Sequence, residues 1–252
     1  MSALLRVIDV SRRFGGIAAV DHVSLEVEHG EAVGLVGSNG AGKTTLFRVI
    51  AGELSASSGQ VLFEGKRLPA RADERSRRGM GRTFQIVELF AGLSVLDHIL
   101  VALQAHDGRQ GPIRDLLHGG ETRPAELARC DEILELCALR DVRDAPATTL
   151  SLGQRRSVEL ARALVGRPRL LLADEPSSGL DLEESRTLIE TIARIRRETG
   201  LSVLAIDHDL GTVKAIADRV IAMDAGRIIA AGSFDHVIAE PAVISSWLGR
   251  PA

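Results

Sequence analysis

One segment, GLVGSNGAGKTT, constrains this chain most, because it contains the pattern G-x-x-x-x-G-K-[ST] over residues 37–44. The apolar run AVGLV before the pattern predicts a buried strand, and TTLFRVIAG after it predicts a helix. Glycines let the backbone pass close to an anion, and the free N–H groups at a helix start face that anion. The segment therefore predicts a phosphate-binding loop within an α/β fold. Its predicted phosphate-binding residues are Gly37, Ser38, Asn39, Gly40, Ala41, Gly42, Lys43, Thr44 and Thr45.

Two side chains give this loop its chemistry. Lys43 supplies a compact positive charge for the β- and γ-phosphates of a nucleotide, and Thr44 supplies a hydroxyl for Mg²⁺. Lys43, Lys66 and Lys214 are the only lysines among 31 basic residues, so a lysine at this point stands out in an arginine-rich chain. The alternative is a glycine-rich turn with an incidental lysine, which the flanking strand and helix disfavour.

The second half of the chain alternates apolar runs with helical patterns. RLLLAD and LSVLAID predict continuous buried strands, and the residues after them predict helices over 182–198 and 210–217. This alternation is typical of a parallel sheet that helices cover on both faces. VIAMDAGRIIAAG predicts a hairpin that turns at 224–226.

The first half predicts short strands followed by a helical region. Residues 88–166 read as amphipathic helices, with Leu127, Cys130, Leu134 and Cys137 on one helical face. We therefore predict one domain over 1–252, in which a core lobe (about 1–87 and 167–252) is interrupted by a helical lobe (about 88–166). The strands predicted before the helical lobe are 5–10, 23–28, 32–36 and 61–65.

Acidic residues end one of the buried strands. Asp174 and Glu175 close LLLADE, and the carboxyl ends of parallel strands are where ligands bind in open α/β sheets. We expect Asp174 to hold Mg²⁺ and Glu175 to orient and polarise the attacking water. The alternative is a solvated acidic pair that opens the turn before Pro176, and the phosphate loop favours the catalytic interpretation.

Two further polar residues belong to the same predicted site. His208 follows LSVLAID at the end of another strand, so a contact with a γ-phosphate is expected, although a lone histidine is more often structural. Gln85, in GRTFQ, is a neutral side chain suited to contact Mg²⁺ and the water. By itself, Gln85 is a weak signal.

A second small loop, LSLGQ at 150–154, carries no charged catalytic pair. It opens the helical pattern RRSVELARAL, so its N–H groups lie at a helix start. We call this loop the signature loop below. SGLD follows at 178–181, directly after the acidic strand.

Composition excludes several classes of protein. A hydrophobic fraction of 45% and a charged fraction of 26% are ordinary for a globular domain, and a net charge of −3 gives no support for nucleic acid as a partner. Apolar runs stay short of the ~18 residues of a spanning helix, so we expect membrane contact through another subunit. Cys130 and Cys137 lie seven residues apart on a predicted helix, too far for a disulfide, which favours a reducing compartment.

The order of these motifs resembles the ATP-binding subunit of ABC transporters, and the resemblance covers essentially the whole chain. The motifs that carry this resemblance are the phosphate loop, Gln85, the signature loop, LLLADE, SGLD and His208. The resemblance implies an ABC-type P-loop NTPase core with an N-terminal antiparallel β-subdomain and an inserted helical subdomain. It implies ATP hydrolysis with ATP and Mg²⁺ as ligands.

The resemblance also implies roles for single residues. Phe14 falls where an aromatic side chain stacks on adenine, and Gln85 is the Q-loop glutamine. Asp181 lies in the D-loop, and His208 is the switch histidine. The signature-loop residues that would contact an ATP held by another chain are Ser151, Leu152, Gly153 and Gln154.

Leu152 departs from the usual LSGGQ pattern, since a large residue replaces the first glycine. Together with the motifs RTFQ, IDHD and PAVISSWLG, this departure makes the chain look most like one subgroup of ABC transporter ATPases. That subgroup energises the uptake of branched-chain amino acids, amides or urea. The resemblance therefore favours an importer. A soluble ATPase for iron–sulfur cluster assembly and a lipid or polysaccharide exporter ATPase remain as alternatives.

Partners follow from the same resemblance. Two chains pack head to tail around ATP, so a second ATPase subunit is expected, either as a homodimer or as a heterodimer. Multi-span permease subunits would hold the chain at the cytoplasmic face of the cell membrane, and a substrate-binding protein would act indirectly. FAGLSVLDHI (90–99) is the candidate edge of the docking surface, although an ordinary core-facing helix is an equal alternative.

Overall fold

The computed structural model describes residues 3–84, 88–108 and 123–248. Its strands, in chain order, are β1 (Leu5–Phe14), β2 (Ile17–Val27), β3 (Ala32–Gly37), β4 (Ser58–Phe63), β5 (Lys66–Arg67), β6 (Met80–Arg82), β7 (Leu170–Asp174), β8 (Ser202–Ile206), β9 (Arg219–Asp224) and β10 (Arg227–Gly232). Its helices are α1 (Lys43–Ala51), α2 (Ala72–Arg77), α3 (Val95–His106), α4 (Pro124–Leu136), α5 (Leu152–Leu164), α6 (Leu182–Thr199), α7 (Leu210–Ile216), α8 (Phe234–Ala239) and α9 (Pro241–Leu248).

The strands form two sheets. The antiparallel sheet has the order β2-β1-β4-β5, and the larger sheet has the order β10-β9-β3-β8-β7-β6. Strands β6, β7, β8, β3 and β9 run parallel, and β10 returns antiparallel to β9. The predicted α/β architecture with an N-terminal antiparallel sheet is confirmed.

Both faces of the larger sheet are buried, as the apolar runs predicted. On β7, Leu170 and Leu172 pack into the cluster that contains Phe47 of α1 and the antiparallel sheet. Leu171, between them, packs on the opposite face against residues of α3, α4, α5 and α6. Because successive side chains of a strand point to opposite faces, a strand covered on both sides reads as a continuous apolar run.

Several strand boundaries differ from the predictions. The strands predicted over 5–10 and 23–28 lengthen into β1 and β2, which form one hairpin in which Phe14 pairs with Ile17. Polar residues interrupt the apolar pattern there, but cross-strand pairing keeps the backbone extended through shifts in register. The strand predicted over 61–65 is β4, which ends at Phe63 because Glu64 begins a turn with φ of 49°.

Five short elements were missed by the sequence analysis: α2, β5, β6, α8 and α9. Strand β6 has only the residues MGR, and its pairing with β7 through Met80 and Leu170 defines it. A three-residue strand carries too little alternation to be visible in a sequence.

Helices α3, α4 and α5, which the structure describes between β6 and β7, pack together in one cluster with α6. Ser94 caps α3 through a reciprocal pair of hydrogen bonds with Asp97, and Pro124 occupies the first turn of α4. The division of the chain at residues 88–166 stays a prediction.

The cysteines are both buried and free. Burial raises the pKa of Cys130 to about 11 and that of Cys137 to about 12, so both thiols stay protonated at neutral pH. Cys137, predicted to lie on this helix, is the C-cap of α4, one residue beyond its last helical residue, Leu136. Within the described residues, no helix has both the length and the apolar character needed to cross a bilayer.

Candidate functional site

The predicted phosphate loop connects β3 to α1, as the sequence indicated. Gly42 caps α1 with φ of 98°, and a Cβ there would overlap the carbonyl oxygen of Ala19 on β2. A Cβ on Gly37 would overlap the carbonyl oxygen of Met223. Close approach of the protein's own backbone therefore requires glycine at these two positions. At Gly40 a Cβ would meet no other part of the protein, and the φ of 82° is what favours glycine there.

Lys43 lies inside the loop, with only 5% of its surface exposed. Its Nζ donates hydrogen bonds to the carbonyl oxygens of Gly37 at 2.8 Å and Ser38 at 3.0 Å. Burial lowers the pKa of this ammonium, and the nearby Glu175 carboxylate opposes that shift. The loop thus encloses one positive charge that faces the acidic strand end.

The carboxyl ends of β3, β8 and β7 meet at one edge, because these strands are neighbours in the sheet. This places the phosphate loop, His208 and the acidic pair side by side. Nε2 of His208 lies 2.6 Å from Oε1 of Glu175, which itself has φ of 47°. A non-glycine residue in this left-handed region carries backbone strain, which clusters at functional sites.

Asp174 is buried and pairs with an arginine that the sequence analysis did not single out. Arg82 Nη2 donates to Asp174 Oδ2 at 3.1 Å, and the same guanidinium contacts Glu53. Burial raises the pKa of Asp174, and Arg82 holds it down. The available signal was the sequence RTFQ, which places Arg82 three residues before Gln85.

Asp207 is a second acidic residue that sequence reasoning missed. Its Oδ2 accepts hydrogen bonds from the backbone N–H of Ser177 at 3.3 Å and from the Ser177 hydroxyl at 2.7 Å. Its Oδ1 accepts from the N–H of Asp209 at 2.9 Å. Asp207 therefore ties the loop after β7 to the loop that carries His208. The acidic residues on both sides of His208, in IDHD, were the available signal.

An open cavity of about 960 Å³ adjoins this edge and is lined by Thr44, Asp174, Arg82 and Phe84. A hydroxyl and a carboxylate that line one cavity are the hard oxygen donors that Mg²⁺ prefers, so Thr44 and Asp174 fit the predicted metal. Gln85, the third predicted ligand, lies outside the described residues.

Other predicted loop residues differ in their surroundings. Asn39 and Gly40 are exposed at the tip of the loop, whereas Ala41 is buried and Thr45 is half-buried on α1.

Phe14 is 46% exposed at the end of β1, and the guanidinium of Arg12 lies 4.7 Å from its ring centre. Phe14 thus remains an accessible aromatic surface.

The signature loop starts α5. Ser151 caps the helix: its hydroxyl accepts from the Gln154 N–H at 3.2 Å, and Gln154 Oε1 accepts from the Ser151 N–H at 2.9 Å. Leu152 is 40% exposed, and its Cδ2 would lie 3.3 Å from a Cβ on Gly179. The large residue at 152 therefore packs toward the segment 178–181.

Asp181 caps the next helix, α6. Its Oδ1 accepts from the N–H groups of Glu183 at 2.9 Å and Glu184 at 2.8 Å. Glu184 in turn reaches the signature loop: its Oε1 accepts from the Ser151 hydroxyl and from the Gly153 N–H, both at 3.1 Å. The segments 150–154 and 178–184 thus contact each other within one chain.

A buried ion pair joins α5 to the segment before Gln85. Arg156 Nη1 donates to the Phe84 carbonyl at 2.9 Å and to Glu159 at 3.3 Å, and the Phe84 N–H donates to Glu159. Arg156 Nη2 also donates to the Ser178 carbonyl at 3.0 Å. The sequence analysis missed both charges, although their spacing of three residues within RRSVELARAL placed them on one helical face.

Comparisons with known proteins agree with this geometry. Residues 20–178 match the family model described as ABC transporter. The chain is 36% identical over 251 residues to the high-affinity branched-chain amino acid transport ATP-binding protein LivG of Escherichia coli, covering 98% of each. It is 38% identical over 241 residues to the methionine import ATP-binding protein MetN of Rhizobium johnstonii, covering 94% of this chain but 63% of MetN. The chain therefore spans less than two thirds of that relative.

A solved structure gives the same result. The crystal structure of a nucleotide-free ATP-binding cassette from an ABC transporter superposes with a TM-score of 0.88 at 29% identity, covering 99% of this chain and 100% of that one. The sequence match, the shared fold and the phosphate loop beside an acidic strand end have one consistent interpretation. This chain belongs to the ABC transporter family.

Proposed function

We propose that this chain hydrolyses ATP to drive an importer of branched-chain amino acids or related small polar solutes. The similarity to LivG over 98% of each chain supports the importer assignment. The observation that carries the chemistry is the 2.6 Å contact between His208 and Glu175 beside the phosphate loop. The subunit would lie at the cytoplasmic face of the cell membrane, held by multi-span permease subunits that receive solute from a binding protein.

Nucleotide binding would use groups that are already oriented. The N–H groups of residues 37–45 surround the phosphates, and the Lys43 ammonium exchanges its carbonyl partners for phosphate oxygens. Phe14 offers an exposed ring on which adenine stacks. Thr44, Asp174 and Gln85 would hold Mg²⁺, which when bound neutralises charge on the phosphate oxygens.

Hydrolysis would use the acidic strand end. The Glu175 carboxylate accepts a hydrogen bond from the attacking water, whose oxygen bonds to the γ-phosphorus as the bond to the β–γ bridging oxygen breaks. The His208 ring contacts Glu175 through Nε2 and so restricts the orientation of that carboxylate. Because the carboxylate is nine-tenths buried, water other than the attacking molecule has little access to it.

The signature loop would complete the site of a second ATPase subunit. Ser151, Gly153 and Gln154 lie at the start of α5, where N–H groups favour an anion. In the proposed head-to-tail dimer, these donors reach the γ-phosphate of the ATP on the other chain, with Asp181 positioning the neighbouring segment. The second subunit is either another copy or a sister ATPase.

The segment 90–99 is the proposed docking edge for the permease. Phe90 is half-exposed, and its ring stacks on His98 with centroids 6.0 Å apart. Phe90 also lines the cavity that Arg82 and Asp174 line. A permease loop that pressed on Phe90 or Phe84 would therefore lie close to the proposed magnesium ligands.

Glu175→Gln tests the hydrolytic role. The isosteric amide keeps the packing but loses the base, so we expect turnover to fall by about 10²- to 10⁴-fold while ATP binding persists. ATP-dependent dimerisation should become stable enough to detect by analytical ultracentrifugation. Normal turnover in this variant would remove Glu175 from the mechanism.

Ser151→Arg tests the placement of the signature loop. Its bulk should block dimer closure, while the single chain still binds ATP with its usual affinity. Loss of ATP binding by the monomer would instead place the loop in the chain's own nucleotide site. Equilibrium binding of a fluorescent ATP analogue, measured beside sedimentation, separates the two results.

Affinity purification tests the importer assignment. The tagged chain, extracted with detergent, should retain multi-span membrane subunits. A soluble iron–sulfur assembly scaffold in their place, or permeases that export lipid or polysaccharide, would overturn the importer proposal.

A further inference from the structure

One carboxylate oxygen occupies two of the proposed anion-binding donors of the signature loop. Glu184 Oε1 accepts from the Ser151 hydroxyl at 3.1 Å and from the Gly153 N–H at 3.1 Å. These are two of the groups that the proposed function assigns to the γ-phosphate of the opposing ATP. These two donors therefore already hold a carboxylate oxygen.

The negative charge at the start of α5 comes from a residue of a different helix. The first turn of α5 contains no acidic residue, and Ser151 and Gln154 satisfy each other as a capping box. Glu184 instead belongs to the first turn of α6, where the Asp181 cap fixes the backbone N–H of Glu184 at 2.8 Å. Asp181 thereby directs Glu184 toward the signature loop.

The close approach of the Glu184 carboxylate to the signature loop requires a residue as small as glycine at position 153. A Cβ at position 153 would lie 2.9 Å from Oε1, 3.0 Å from Cδ and 3.1 Å from Cγ of Glu184. Any larger residue would push the carboxylate away from the Gly153 N–H. Position 152 is under no such constraint, because the Leu152 side chain packs toward Gly179. This difference explains why leucine replaces one glycine of the loop while the other remains.

We propose that Glu184 is a positioning residue that holds the signature loop ready for phosphate and is displaced when the opposing ATP arrives. This inference rests on the proposed ATP-bound dimer. Two anions cannot share the Ser151 and Gly153 donors, so closure of the dimer requires the Glu184 carboxylate to leave. ADP has no γ-phosphate to take its place, so Glu184 keeps its contacts and the dimer stays open.

The chain offers a matched control for this inference. Glu183 is the preceding residue, lies in the same first turn of α6 and is exposed. Glu183→Gln and Glu184→Gln remove the same charge from the same helix end, so they change the helix dipole and the net charge alike. They differ in the contact with the signature loop.

The experiment measures ATP-dependent dimerisation in a Glu175→Gln parent, which removes turnover. Sedimentation is followed against ATP concentration for the parent and for each added substitution. A charge-assisted hydrogen bond is about twice as strong as a neutral one, so Glu184→Gln should lower the half-maximal ATP concentration by about three- to tenfold. Glu183→Gln should leave that concentration unchanged, and ADP should produce no dimer in any variant.

A second measurement keeps folding effects apart from displacement. In the nucleotide-free chain, the backbone amide resonance of Gly153 should shift in Glu184→Gln and Glu184→Ala but not in Glu183→Gln. ATP should move the same resonance in the parent only at concentrations that also form the dimer.

The outcomes separate this inference from the proposed function. A parent that dimerises with ATP, with an equal or higher midpoint in Glu184→Gln, would overturn the displacement and leave the ATP-bound dimer intact. An unchanged Gly153 resonance in both Glu184 variants would also overturn it. A parent that binds ATP yet forms no dimer would overturn the proposed dimer, and this inference with it.

Discussion

Nε2 of His208 lies 2.6 Å from Oε1 of Glu175, across the ends of two neighbouring parallel strands. Glu175 is the residue after β7, and His208 follows β8 by two positions. The Glu175 N–H also donates to the Ile206 carbonyl of β8 at 2.8 Å. Sheet pairing, together with this side-chain contact, therefore fixes the relative position of the proposed catalytic residues.

Substitution of His208 should uncouple ATP binding from turnover. In His208→Ala, Glu175 loses the neighbouring ring that restricts its orientation, so we expect the turnover number to fall by about 10²-fold or more, with little change in ATP affinity. Steady-state kinetics and equilibrium nucleotide binding measure the two effects separately. His236→Ala, an exposed histidine on α8, is the matched control. Equal losses in both variants would argue against the contact.

Arg82→Gln should move the acidic limb of the pH–rate profile to higher pH. Burial already raises the pKa of Asp174, and Arg82 opposes that shift. Removing the guanidinium raises this pKa further, so the ionised carboxylate is lost at a higher pH as the solution is acidified. Arg71→Gln removes an exposed guanidinium that pairs with Asp73 and should not move the limb. An unshifted limb in Arg82→Gln would exclude this electrostatic role.

Glu159→Ala should strongly destabilise the fold. Glu159 and Arg156 are both buried, and the substitution leaves the guanidinium without its carboxylate and the Phe84 N–H without its acceptor. Breaking such a pair costs about 3–5 kcal/mol in the free energy of unfolding. Urea denaturation measures it, with Glu190→Ala, from an exposed pair with Arg186, expected to cost less than about 1 kcal/mol. Similar costs for the two variants would contradict this account.

His98 should make stability depend on pH. Burial lowers the pKa of His98, with Arg162 acting in the same direction and the Ser94 carbonyl and Asp97 opposing it. The neutral ring donates from Nδ1 to Ser94 at 2.7 Å and accepts from the Phe90 N–H at 2.8 Å.

The folded chain therefore binds a proton on His98 less readily than the unfolded chain does. This contribution to stability is fully present above the unfolded pKa of about 6.5 and is lost as pH falls toward the lower folded value. Unfolding free energies from pH 8 to pH 5 should converge between the parent and His98→Gln as pH falls. His29→Gln, at an exposed turn, should show no such convergence, and parallel curves for His98→Gln would contradict the assignment.

The sequence was sufficient to predict features that are encoded by residues adjacent in the chain. The phosphate loop between a strand and a helix, the acidic pair in LLLADE and the helix that starts at the signature loop each depend on a few adjacent residues. Helix α1 (Lys43–Ala51) lies within one residue of the predicted segment TTLFRVIAG at each end. The sequence did not predict the three-residue strand β6 or the extension of β1 to Phe14, because the local patterns there are weak.

Only the tertiary structure decided which charges meet. Arg82 and Asp174 are 92 residues apart, and Gly153 and Glu184 are 31 apart. A charged residue on a helix or a strand end reads in a sequence as a solvated surface group. The sheet order β3-β8-β7-β6 and the packing of α5 against α6 select these partners. The sequence by itself determined the family and the local loops, whereas packing determined the electrostatic contacts between them, because a contact between distant residues exists only once the chain has folded.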